Sequence, residues 1–312
     1  MEMMPALIIA FINYEAVKMR LEELRAFGIH EIYIYVDGYN HDGDIQRLQQ
    51  RKRLIEMLEK ELTLSRLSKV YFCETNTGVG IAVPAAVDWF FQNVEYGMIL
   101  EDDCSLLPHA REILGDINAE KSSLVDAIVC LSNPLPITLS HSDDIQILFI
   151  ESQLFTSWGW ICYRKTWERI ELRNISLMQV IQAALGVHNI SRIVKFWLCL
   201  SWIDIWFSLR QNQNRLWAFR FTVLSILAGV QIHYPAIKTV QHLPSLNGTN
   251  VRAIPEWDNQ GIESVRSFAD QPPSRIQNSR LLDNYLVKNI QGASFISFST
   301  RFAYRLVRKV KI

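Results

Sequence analysis

Along the first hundred residues, short apolar runs alternate with segments in which apolar residues recur at intervals of three and four. The runs at 6–12, 31–36, 69–73 and 97–100 are rich in β-branched and aromatic side chains and read as strands. Between the first two, Val17, Leu21, Leu24 and Phe27 fall on one side of a helix. Gly28 follows, a residue free to take the left-handed conformation that stops a helix. A charge-rich helix is predicted over 45–62, and a third over 81–94 after the Gly78-Val79-Gly80 turn. Strand and helix in alternation predict a Rossmann-like α/β fold with a mostly parallel central sheet flanked by helices. Ligands in such sheets bind outside the carboxyl ends of the strands.

Beyond residue 101 the alternation loosens. A strand is predicted at 127–131, a Pro- and Ser-rich loop at 133–142, and then the aromatic segment Ser157-Trp158-Gly159-Trp160. The run at 236–240 also reads as strand-like. A polar, Pro-containing stretch at 245–273 ends the compact part and leaves a C-terminal helical appendage. Within it, Phe295, Phe298, Phe302, Leu306 and Val310 recur at helical spacing among five basic residues and no acidic ones. Such a basic amphipathic helix over 295–312 suits an anionic membrane surface or, equally, packing on the domain.

Charge changes the picture by exclusion. With 32 basic and 32 acidic residues in a chain of 312, no polyanion-binding surface is expected, so nucleic acid is not a partner. Nine Trp and 11% aromatic residues imply a sizeable core rather than disorder. The five cysteines, Cys73, Cys104, Cys130, Cys162 and Cys199, are odd in number and form no C-x-x-C pair. They predict buried thiols in a reducing, cytoplasmic setting rather than structural zinc. The apolar run at 5–12 has no basic residues before it and no small-residue cleavage site after it, so it reads as a first strand. Lys195 and Asp204 interrupt the run at 193–209 and Arg220 the run at 219–232, so no transmembrane helix is expected.

The candidate chemistry lies at Glu101, Asp102 and Asp103, directly after the strand-like Met98-Ile99-Leu100. Adjacent carboxylates repel and raise one another's pKa, whereas a divalent ion bridging them to a diphosphate neutralises both partners. By itself the triplet reads equally as a solvated turn. Upstream, Asn76-Thr77-Gly78-Val79-Gly80 leads into a helix, a place where backbone can approach a ligand and free N–H groups favour anions. Alone, that turn is as much a plain helix start.

Together the two segments, GVGIAVPAAVDWFF and GMILEDDC within 76–104, resemble the bacterial GT-A glycosyltransferases of the hemolytic-protein-like family, distantly similar to N-acetylglucosaminyltransferase I. Further matches fall in order. Residues 5–13 resemble the family's first strand ending in Asn, here Asn13, and Tyr35-Val36-Asp37-Gly38 its Ala-Asp-Gly turn. Ser157-Trp158-Gly159-Trp160 resembles its Trp-Gly-Trp signature, and Trp217-Ala218-Phe219-Arg220-Phe221 a Trp-Ala-Ile-Arg-Trp variant. Val240-Gln241-His242 and Gly248-Thr249-Asn250 resemble its closing loop. The resemblance covers about residues 5–250. It implies a GT-A nucleotide-diphospho-sugar transferase domain at 1–250, with a donor-binding half at 1–104 and an acceptor half at 105–250, followed by an extension at 251–312.

The resemblance further implies donor contacts from Asn13, Asp37, Asn76, Gly78, Glu101, Asp102 and Arg220. Asp37 would take the base or ribose, and Arg220 would contact a phosphate or orient an acidic side chain. A divalent metal, Mn²⁺ or Mg²⁺, would sit on Asp103 and His242 and stabilise charge on the leaving diphosphate. Trp158, Gly159 and Trp160 would wall the sugar or acceptor, while Trp217 reads as core. Ile81 and Ala218 stand where relatives carry a basic residue and an Asp, so the catalytic base is unassigned, with Asp143, Asp144, Glu151 and Asp204 as candidates. The expected activity is sugar transfer from a nucleotide-sugar donor, such as a UDP-sugar, to a glycan or lipid-linked acceptor in surface polysaccharide assembly. The site would be cytoplasmic or peripheral at the inner face of the membrane. A non-catalytic nucleotide-binding or scaffold protein that keeps the fold is the alternative. A sugar nucleotidyltransferase would need a basic Gly-rich loop where Phe11-Ile12-Asn13-Tyr14 stands.

Overall fold

The computed structural model describes residues 3–39, 44–64, 66–132, 149–209, 212–242, 276–278 and 280–287. The chain opens β1 (Ala6–Ala10), α1 (Tyr14–Ala26), β2 (Ile32–Val36), α2 (Ile45–Thr63), β3 (Lys69–Phe72), α3 (Val79–Phe91) and β4 (Tyr96–Glu101). It continues β5 (Cys104–Leu106), α4 (Ala110–Ala119), β6 (Ala127–Cys130), β7 (Phe149–Ser152) and β8 (Trp160–Tyr163). The helices α5 (Arg164–Ile170), α6 (Leu177–Gly186), α7 (Arg192–Leu209) and α8 (Trp217–Leu227) follow. Then come β9 (Gln231–Pro235), β10 (Val240–His242), β11 (Ile276–Asn278) and α9 (Arg280–Tyr285).

β1 and β2 are buried at every residue, and β4 at all but Glu101, as strands covered on both faces require. Their alternate side chains feed two cores. Leu7 and Ile9 pack with α3 and α6–α8, whereas Ala6, Ile8 and Ala10 pack with α1, α2 and α4. The nine-stranded sheet has the order β11-β7-β9-β6-β8-β4-β1-β2-β3. β3, β2, β1 and β4 run parallel, as do β6 with β9 and β7 with β11. β8 is antiparallel to both β4 and β6, and β7 to β9. This is the α/β class expected, a mostly parallel sheet flanked by helices. Gly28 follows α1 at φ +80°. No helix among the described residues is long and apolar enough to cross a membrane.

Two expectations need correction. Residues 236–240 are not one strand: the chain leaves the large sheet after Pro235, and β10 pairs antiparallel with β5, setting His242 opposite Cys104. Nor does the compact unit end at residue 250. β11 adds an edge strand beside β7, and Leu282, Leu286 and Val287 join the core of α6–α8. The buried Asp283 accepts a 2.6 Å hydrogen bond from Ser152 Oγ of β7. The residues from 288 onward, including the basic segment, lie outside the described residues, as do 133–148 and 243–250.

Candidate metal and nucleotide site at the carboxyl edge of the sheet

Because β3, β2, β1 and β4 are parallel, their carboxyl ends face the same way and bring four sequence-distant segments together. The Asp102 N–H donates to Ile9 O at 3.0 Å, Asp37 N–H to Ala10 O at 2.9 Å, and Cys73 N–H to Val36 O at 2.9 Å. One residue that pattern analysis missed stitches these ends. Arg51 of α2, only 9% exposed, donates to the carbonyls of Phe11 (3.1 Å), Asp37 (2.6 Å) and Cys73 (3.4 Å). A guanidinium with five donors in a fixed fork suits that task. Asn13 is the N-cap of α1, its side-chain oxygen accepting from Ala16 N–H at 3.2 Å.

Asp37 is 5% exposed, and its carboxylate is turned inward. It accepts from Gly38 N–H (2.8 Å), Thr77 N–H (3.2 Å), Thr77 Oγ1 (3.1 Å) and Gly78 N–H (3.2 Å). The residue expected to contact the base or ribose therefore organises the loop that carries Asn76 and Gly78 to the start of α3. Gly38 lets that loop close, since a Cβ there would stand 2.0 Å from Thr75 C. Asn76 is half-buried beside it.

The acidic cluster sits at the end of β4. His242 Nε2 lies 3.0 Å from Asp103 Oδ2, and the His242 ring meets Trp158 edge to face at 6.0 Å. Two residues 139 positions apart in sequence are joined because β10 pairs with β5, the strand that follows Asp103. Burial raises the Glu101 carboxyl well above the usual range, and Asp103 and Asp102 add to the effect. Burial and the Asp103 charge push Asp102 up to about 7, against a hydrogen bond from the Phe11 N–H and the charge of Arg20.

Among the described residues Arg20 is the cation beside these carboxylates, and sequence patterning gave it no role. It is 1% exposed, and burial lowers its pKa against the pull of Glu23, Asp102 and Asp103. Its Nη2 bonds Glu23 Oε1 at 2.6 Å. Glu23 in turn accepts from Ser105 Oγ (2.9 Å) and Leu106 N–H (3.2 Å), which fixes β5 and hence the Asp103 end of the cluster.

Among the described residues no three of His, Cys, Asp and Glu are grouped to hold a metal. Asp103 and His242 nonetheless fit the ion expected. Mg²⁺-like ions take one or two protein ligands and complete their shell with substrate phosphates and water. The 3.0 Å between Oδ2 and Nε2 is the edge of an octahedron with bonds of about 2.1 Å.

Several expected residues lie elsewhere. Trp160 is not a wall: at 1% exposure it packs among Phe155, Trp167, Trp217 and Phe221 in the core. Gly159 explains the split between the two indoles. Its φ of +71° breaks the strand alternation that would put Trp158 and Trp160 on one face, and a Cβ there would press on Val240 and Leu100 at 3.0 and 3.1 Å. Arg220 is not brought to the acidic cluster. It is buried on α8, where burial lowers its pKa and no carboxylate among the described residues opposes the shift. Trp217 is core, as expected. Glu151 lies on β7, four strands from β4, and pairs in register with His233 and Asn278. That separation is roughly 19 Å. Asp204 lies on α7, which packs on α6 and the turn before α8. Asp143 and Asp144 are outside the described residues.

No protein-family model matches the sequence, and no curated protein matches it. Among solved structures, the chain is similar to a glucose-1-phosphate thymidylyltransferase from Bacillus anthracis in complex with sucrose. Identity is 13% over 55% of this chain and 76% of that one, with a TM-score of 0.34. It is also similar to S. aureus TarS 1–349, at 16% identity over 76% of this chain and 59% of that one, with a TM-score of 0.34. Apo-UDP-glucose pyrophosphorylase is similar at 9% identity over 53% and 79%, with a TM-score of 0.32. Likeness this distant assigns neither an activity nor a residue.

Proposed function

We propose that the chain is a GT-A-type glycosyltransferase. It moves a sugar from a nucleotide-diphosphate donor, such as a UDP-sugar, to a glycan or lipid-linked acceptor in surface polysaccharide assembly at the cytoplasmic face of the membrane. The observation that carries this reading is the Asp103–His242 pair, 3.0 Å apart at the carboxyl edge of four parallel strands, with two further carboxylates crowded beside it. Crowded, half-buried carboxylates call for a cation, and a diphosphate brings the complementary need.

In this reading Asp103 and His242 hold a divalent ion, which when bound neutralises charge on the departing diphosphate. Asp102 lies toward the ribose and Glu101 toward the sugar. Asp37 and Arg51 hold the three loops of the donor side in register, so that Asn13, Asn76 and Gly78 meet the nucleotide as a preformed surface. Trp158 offers a flat apolar face to a pyranose ring and buttresses His242. Arg20 and Glu23 keep the carboxylates placed from behind.

Asp103→Asn tests the reading. It should leave the melting transition in place, remove metal-dependent nucleotide binding, and lower turnover by ~10²-fold or more. Full activity of a folded Asp103→Asn protein would overturn the metal assignment.

A further inference from the structure

We propose that Arg220 and the first turn of α8 form a second anion site, which takes the phosphate of a lipid-linked acceptor sugar rather than the donor diphosphate. The acceptor assignment rests on the transferase reading; the anion site itself does not. Among the described residues three arginines are buried, and two of them have partners. Arg51 donates to three carbonyls, and Arg20 is paired with Glu23. Arg220 has neither kind of partner among the described residues. It is 5% exposed, burial alone shifts its pKa, and its buried Nε finds no hydrogen-bond acceptor. A guanidinium withdrawn from water without a partner destabilises the fold, and a chain that keeps one calls for an anionic ligand to meet it.

Helical side chains lean toward the N-terminus of their helix, so Arg220, the fourth residue of α8, reaches back over its first turn. The N–H groups of that turn have no intrahelical acceptors, and Leu216 at the N-cap offers them no side chain. An oxyanion there meets both the guanidinium and the positive end of the helix dipole. β6 and β9 run parallel, and β8 is antiparallel to both β6 and β4, so β9 has the sense of β4. α8 leads into β9 after three residues and so runs back against it, which sets its first turn at the same carboxyl edge as Asp103. Three strand spacings, or about 14 Å, separate β9 from β4. A donor diphosphate held at Asp103 stays at β4. The span leaves room for the sugar in transit and the acceptor sugar between the two anions, as a sugar joined to lipid through phosphate requires.

The test is thermal shift and isothermal titration calorimetry of the full chain in EDTA, which silences the metal site, with inorganic pyrophosphate and farnesyl diphosphate as probes. Wild type and Asp103→Asn should bind both probes, and Arg220→Met should bind each about 10-fold or more weakly. Ligand-free Arg220→Met should melt at or above the wild-type midpoint, because it removes a buried charge that nothing in the free protein pairs. Arg220→Lys, which keeps the charge but not the fork, should bind between the two. Three results would overturn the site: no binding of either probe by the wild type, undiminished binding by Arg220→Met, or a ligand-free Arg220→Met that melts lower than wild type while Arg220→Lys does not. Binding of pyrophosphate but not of farnesyl diphosphate would overturn the acceptor assignment. Failure of the transferase reading shows separately, as a wild type that binds these probes in EDTA but no nucleotide with Mn²⁺.

Discussion

Asp37→Asn separates a ligand-contacting carboxylate from one that builds the loop beside the ligand. Asn keeps Oδ1 for Gly38 and Thr77 but turns an NH₂ toward the Gly78 N–H, which Asp37 Oδ2 accepts at 3.2 Å. The remaining bonds cease to be charge-assisted, each weakening by roughly 0.5–1 kcal/mol, and a donor-against-donor contact adds roughly 1–2 kcal/mol. The sum is about 3 kcal/mol, or a melting midpoint lower by about 5 °C for a chain of this size. Thermal or urea unfolding followed by far-UV circular dichroism reads it directly. A midpoint equal to wild type, with nucleotide affinity reduced, would refute the structural role and return Asp37 to the ligand.

The two indoles of the Trp-Gly-Trp segment should separate cleanly. Trp160→Ala should lose about 3–5 kcal/mol from the core, whereas Trp158→Ala should keep its stability and lose transfer activity; equal destabilisation of both in urea would contradict the split. Arg20→Met should cost about 3 kcal/mol by leaving Glu23 without its buried partner. It should also move the Asp102 pKa further up, read by carbon-13 NMR titration; an unmoved pKa would count against the contact. His233, 2% exposed, is pushed down to about 4 by burial. Its neutral form is the native one, so the stability it allows is intact above pH 6.5 and is lost as pH falls toward 4. Relative to wild type, His233→Phe should gain about 3 kcal/mol between pH 7 and pH 4. The buried Asp283, pushed up to about 6, works in the opposite direction, losing stability as pH rises through that value. Asp283→Asn should gain on wild type by about 2 kcal/mol from pH 4 to pH 7, and a pH-independent difference for either variant would refute its shift.

The first half of the fold was legible because its strands and helices declare their periods. The predicted strands at 6–12, 31–36, 69–73 and 97–100 differ from β1–β4 by one or two residues at their ends, and Gly28 stops α1 as read. The second half was less so. β11 has three residues and follows a polar, Pro-containing stretch, and nothing in its sequence announces a partner strand. The site divides in the same way. A period of two puts Trp158 and Trp160 on one face, and only the positive φ of Gly159 sends them apart. Asp103 and His242 are chosen by resemblance, and the pairing of β5 with β10 that joins them is a tertiary fact. Arg20 and Arg51 sit in helices whose charges look solvated. Their burial depends on which strand ends lie beneath them, which local pattern does not encode.

The most direct test is a thermal-shift series with UDP, GDP, CMP and dTDP, each with and without Mn²⁺, on wild type and Asp103→Asn. A ligand that binds only the native state raises the midpoint by mass action. The account predicts a manganese-dependent rise with one diphosphate nucleotide in the wild type and its loss in Asp103→Asn. No rise with any nucleotide, or a rise undiminished in the variant, would contradict it.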